Sequence, residues 1–143
     1  MLPSPSNLPL RMNTPAPTQD FAVGQLWRCT GRSLLETPTL LINRIDEHPL
    51  GGQIFHATVY GVRVRNPRLP GGIMDTLMHV PVTREVLEQS TIALEGTRMA
   101  DPIHQQGYRE WKQAFDAGRA GSFGVPLATI LEIIERGMNG QSR

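Results

Sequence analysis

The chain has 143 residues, a formal charge of +1, and 39% hydrophobic and 19% charged residues. That length suits one domain with a modest core, and the composition excludes an acidic disordered chain and a membrane-embedded one. The near-neutral balance gives no support to a general nucleic-acid binder, whose affinity rests on neutralising phosphates.

No run approaches the ~18 apolar residues of a membrane-spanning helix. A charged stretch followed by an apolar one is missing at the start, which argues against a secretory signal. Cys29 is the only cysteine, so no intrachain disulfide forms and a reducing compartment fits. A cytoplasmic protein without cofactor is the expectation.

Residues 1–20 hold Pro3, Pro5, Pro9, Pro15 and Pro17 among Ser, Thr and Asn. Such a stretch has little to bury and lacks backbone donors at each proline, so a disordered leader is predicted. Met12 offers an alternative start, which would make residues 1–11 an artefact of gene prediction. One folded domain is predicted over 21–138, with a flexible tail at 139–143.

In Leu26-Trp27-Arg28-Cys29-Thr30, alternation points Trp27 and Cys29 inward. Nothing nearby would activate Cys29, so it reads as a buried structural thiol. Thr39 to Asp46 is a second strand, and the Pro and Gly of residues 46–52 make a turn. A third strand runs from Gln53 to about Val64. Phe55, Ala57 and Val59 share one of its faces; Ile54, His56, Thr58, Tyr60, Val62 and Val64 share the other. Gly61 marks a bend or bulge. Arg63, Arg65 and Arg68 form a basic stripe beyond it. Residues 66–72 are a loop, and Ile73 to Val82 supplies one further strand or two short ones, with Pro81 at an edge or strand end.

Thr83 caps a short helix to about Ser90, with strand still open for Thr91 to Ala93. Glu95 to Gln105 reads as a loop. A helix follows from Tyr108 to Ala117, its Tyr108, Trp111 and Phe115 forming a core-facing aromatic stripe. Pro126 opens the last helix, where Leu127, Ile130, Leu131, Ile134 and Met138 keep helical spacing. Ile133 widens that stripe, and its burial within the chain is favoured over contact with a second subunit. Strands followed by helices give an α+β fold: a small, curved antiparallel sheet of SH3-like partial β-barrel type with two or three packed helices.

None of His48, His56, His79 and His104 falls in a metal-binding spacing, so no metal site and no catalytic residue is assigned. Asp46-Glu47 reads as a solvated turn. The paired glycines at 51–52 and 71–72 are loop devices rather than phosphate cradles.

Several pieces carry a resemblance: Gly24-Gln25-Leu26-Trp27, Arg32 with Glu36, Thr39 to Ile42, His79-Val80-Pro81-Val82 with Leu87 and Ser90, and Gly107-Tyr108-Arg109-Glu110-Trp111. Over residues 21–135 the chain resembles a group of small bacterial proteins with no assigned activity. The resemblance implies a recurring bacterial unit and no function.

The functional expectation is a non-enzymatic binding or interaction module of the bacterial cytoplasm, such as an immunity or accessory protein. Its binding surface would draw on Arg63, Arg65, Arg68, Tyr60, His56 and His79, for a protein partner or in a homodimer, with no membrane. One alternative is a small enzyme using His79 or His56 with a distant carboxylate, which requires a histidine within about 3 Å of an acid or nucleophile in a concave pocket; His79 and His56 meeting in a deep cleft with Asp46 or Glu47 would take the lead from the binding module. The other is single-stranded nucleic-acid binding on the Arg-rich sheet face, which the net charge disfavours.

Overall fold

The structure is a computed structural model and describes residues 20–49 and 52–140. The proline-rich leader, all but its last residue, and the end of the tail lie outside the described residues. Five strands form one antiparallel sheet: β1 (Gln25–Cys29), β2 (Thr39–His48), β3 (Gly52–Arg65), β4 (Ile73–Thr83) and β5 (Thr91–Thr97). Helix α1 (Arg84–Ser90) joins β4 to β5. A 3-10 turn (Pro102–His104) leads into α2 (Gln105–Asp116), and α3 (Leu127–Met138) closes the described fold.

The strand order is β4-β3-β2-β1-β5. β4 and β5 stand at opposite edges and do not pair, so the sheet is open and the expected SH3-like partial barrel is wrong. The strand left open for Thr91 to Ala93 is formed, and it runs on through Glu95 to Thr97, the start of the expected loop. Thr91–Thr97 pairs antiparallel with β1 at the far edge, where β-branched Thr91 and Ile92 and the free outer side of β1 favour extension over a longer helix.

Trp27, Cys29, Leu40, Ile42, Phe55, Ala57, Val59, Val80 and Val82 are buried with Val86 and Leu87 of α1 and Leu127, Ile130 and Leu131 of α3. This is the aliphatic core, and each large side chain in it contributes roughly 1.5–3 kcal/mol by burial. Cys29 is buried as expected, and burial pushes its thiol up to about 12, so it is inert at neutral pH. Ser90 ties the two helices, its Oγ accepting the Leu127 N–H at 2.9 Å. Ile133 is exposed rather than buried.

Gly61 bends β3 differently from the simple alternation. Its φ of 73° is left-handed, and the ladder to β4 slips between Tyr60 and Val64. The slip moves the inward phase by one residue, so Val62 and Val64 join Phe55, Ala57 and Val59 in the core instead of sharing the His56 face.

β4 is an edge strand, which among the described residues is bridged at one end. Phe123 bridges it in parallel at Val82, donating its N–H to the Pro81 carbonyl at 2.9 Å and accepting from the Thr83 N–H at 3.0 Å. Pro81 is therefore at the outer edge, its carbonyl turned towards Phe123, so its missing donor costs no ladder bond to β3.

Candidate functional site: a histidine pair beneath helix α2

The residues of β3 that alternate with the core set face the opposite side of the sheet, under the 3-10 turn and α2. Two register slips shape this face. One leaves Asn43 as an extra residue in β2 between Ile42 and Arg44, and the other lies in β4 between Val80 and Leu77, opposite Ala57 and Val59. Asn43 bonds Thr58 Oγ1 at 2.7 Å and accepts the Asp101 N–H at 2.8 Å. Thr58 in turn donates to the Met78 carbonyl at 2.9 Å. The second slip aims His79 at His56, as bulges beside functional groups often do.

His56 is wholly buried. Its Nδ1 lies 2.9 Å from His79 Nε2, and its Nε2 lies 3.1 Å from Asp46 Oδ2. Tyr108 donates its hydroxyl to the same carboxylate oxygen at 2.9 Å, and Arg44 Nε donates to Oδ1 at 2.9 Å. The Arg44 guanidinium also sits 4.4 Å from the Tyr108 ring centroid. Tyr108 and Trp111 meet the His56 ring edge-on, at 4.7 and 4.6 Å between centroids. Trp111 is fixed by a 2.7 Å bond to the Gly121 carbonyl. The aromatic stripe of α2 thus covers a polar cluster rather than the aliphatic core, and its helix begins at Gln105, three residues before the predicted start.

Charge states follow from these contacts. Burial raises the Asp46 carboxyl, but hydrogen bonds from Tyr108 and Arg44 and the charges of His56 and Arg44 hold it below its ordinary value. Burial drives His56 down to about 4 against the pull of Asp46. Burial, with His56 and His104 nearby, takes His79 to about 4. At neutral pH the chain is therefore carboxylate, neutral imidazole, neutral imidazole. The carboxylate requires the proton of His56 on Nε2, leaving Nδ1 bare to accept from His79 Nε2–H. His79 Nδ1 then presents a lone pair. Among the described residues it has no hydrogen-bond partner, and it is not sealed off from solvent.

His79 lies in a groove of about 910 Å³ that runs along β4 between α2 and α3. Its walls include Met74, Leu77, Trp111, Phe123, Ile134 and Met138, and among the described residues Glu110 is the one formally charged residue lining it. Gly107 makes the close approach of α2 possible, because a Cβ there would stand 2.8 Å from His79 Cβ.

The other predicted surface residues lie elsewhere. Tyr60 bonds Asp101 and carries the Arg98 guanidinium 5.2 Å from its ring centroid. Arg63, Arg65 and Arg68 are exposed, but the first two lie among acids. Arg63 N–H donates to Glu36 Oε2 at 2.8 Å and Arg65 N–H to Glu135 Oε2 at 2.7 Å. Arg32 grips Glu36 through two bonds of 2.8 and 2.9 Å and reaches Glu135 at 2.9 Å. Asp46 is in β2, as the strand expected over Thr39 to Asp46 has it, but β2 runs on to His48 and Asp46 is not part of a solvated turn; the sequence alone points to no role for Gly107 or Glu110.

Among the described residues no cluster of His, Cys, Asp and Glu is arranged to hold a metal ion, and no helix is long and apolar enough to cross a membrane. Comparison with known protein families, curated proteins and solved structures returned no match.

Proposed function

We propose that the protein is a binding module whose site is the apolar groove along β4, with neutral His79 as its polar anchor. The observation that carries this reading is the groove itself: about 910 Å³, within the roughly 300–1,000 Å³ of small-molecule sites, mostly apolar and with few polar groups. The reading keeps the expected bacterial cytoplasmic, accessory role and moves the binding surface away from the arginines. Glu36 and Glu135 lie beside the stripe at Arg63 and Arg65, with Glu135 3.9 Å from the Arg65 guanidinium, which weakens it as an anion or nucleic-acid site. A protein partner or second copy remains part of the reading, with exposed Ile133 and the β5 edge as surfaces for it.

The Asp46–His56–His79 chain favours a second reading, acid–base catalysis at His79. Geometry supports it, since His56 meets the Asp46 carboxylate directly at 3.1 Å and joins it to His79 at 2.9 Å, the contact expected of the enzyme alternative. Basicity counts against it: an imidazole near 4 is a weak proton acceptor at pH 7.

The test is fluorescence of the neutral apolar dye N-phenyl-1-naphthylamine. Met78→Lys and Ile103→Lys place charges on the groove at exposed positions and are expected to abolish enhancement, while Arg63→Ala with Arg65→Ala leaves it intact. Enhancement that survives both groove variants overturns the proposal.

A further inference from the structure

Resting on the groove reading above, we infer that its ligand is an apolar molecule bearing a cationic hydrogen-bond donor, such as a primary ammonium. The polarity of the site is fixed from outside the groove. Asp46 accepts from Arg44 Nε, from Tyr108 and from His56 Nε2. A group held by three donors is an acceptor, so the carboxylate carries no proton. His56 spends its one N–H on Asp46 and can only accept at Nδ1, which places the His79 proton on Nε2. The atom left for a ligand, His79 Nδ1, can only accept.

A ligand head at this position therefore has to donate. Glu110 adds the sign of the charge: it lines the same groove, and among the described residues no Lys or Arg lines it. A carboxylate head would meet a lone pair on one side and a like charge on the other. An ammonium meets an acceptor and an opposite charge, while its alkyl body lies on Leu77, Trp111, Phe123 and Ile134. An alcohol satisfies Nδ1 alone and ranks between the two.

The experiment titrates the full-length protein at pH 7 with n-octylamine, n-octanol and octanoate, each as a monomer in solution, reading the Trp111 indole signal by NMR. Octylamine is expected to bind at least tenfold more tightly than octanoate, with octanol between. Glu110→Gln, at an exposed helix position, should remove several-fold of the amine's advantage over octanol and leave octanol unchanged. His79→Phe should weaken amine and alcohol alike. Equal affinity for the three, or tighter binding of octanoate, overturns the donor-head inference and leaves the groove reading standing. Silence of Trp111 towards all three overturns both.

Discussion

Asp46 sets the tautomer of His79 through a third residue. The carboxylate takes the one N–H of His56 at 3.1 Å, and the freed Nδ1 takes the one N–H of His79 at 2.9 Å. The nitrogen that His79 leaves free of the pair thus depends on a side chain on β2. Asp46→Asn should cost about 1–3 kcal/mol, the usual penalty for disturbing a part-buried charged hydrogen bond, and should change the ¹⁵N pattern of both histidines. Urea denaturation and histidine ¹⁵N spectra check the two halves. A loss under about 0.5 kcal/mol with unchanged spectra contradicts the coupling.

Stability should fall on mild acidification. Both imidazoles are held down at about 4 from an ordinary 6.5, so between those values the unfolded chain binds more protons than the folded one. Stability then rises with pH across that window and is lost as pH falls from about 6.5 towards 4. For buried His56 alone the shift corresponds to roughly 3 kcal/mol. Asp46 and Glu36, both held below their ordinary values, act in a lower window: their contribution is complete above the ordinary carboxylate range and disappears below it. Urea midpoints at half-unit pH steps should show a decline that starts before any carboxylate titrates.

Gly107→Ala sets two effects against each other. Alanine favours helix by about 1 kcal/mol. The new Cβ, however, stands 2.8 Å from His79 Cβ, and relieving such overpacking costs about 1–3 kcal/mol. A net loss of stability is expected, with a shifted Trp111 indole signal as α2 moves off β4. A stabilised variant with an unmoved signal contradicts this packing.

The arginines divide into structural and dispensable. Glu36→Gln should cost about 1–3 kcal/mol, because Glu36 is buried and holds Arg32 and the Arg63 backbone N–H together. Arg63→Ala and Arg65→Ala change exposed side chains and should stay within about 0.5 kcal/mol. Retention on single-stranded DNA, measured against salt, should be negligible and indifferent to these two variants. Salt-sensitive retention that they abolish would restore the nucleic-acid reading.

Strands and helices were legible where a period is strong. Leu127, Ile130, Leu131, Ile134 and Met138 announce α3, and Trp27 and Cys29 announce the inner face of β1. The open sheet was not legible, because β5 is a seven-residue strand whose one assigned neighbour, β1, is 62 residues upstream at its nearest paired positions, Cys29 and Thr91. Asp46 was partly legible. The hairpin register pairs it with Ile54, which makes His56 its diagonal neighbour, within reach of long side chains. Placing residues 46–52 in a turn hid that pairing. The His56–His79 contact depends on the slip in β4, and no local pattern in residues 73–83 marks a slip. Gly107 was visible as a residue before a helix, but its use appears only once α2 lies on His79.

The most direct test of the groove is ¹⁵N-histidine NMR of the protein titrated with N-phenyl-1-naphthylamine at pH 7. His79 Nδ1 should respond most, and His56 should follow through their shared hydrogen bond, while His48 holds still. Saturable dye binding that leaves His79 and His56 unmoved would contradict it.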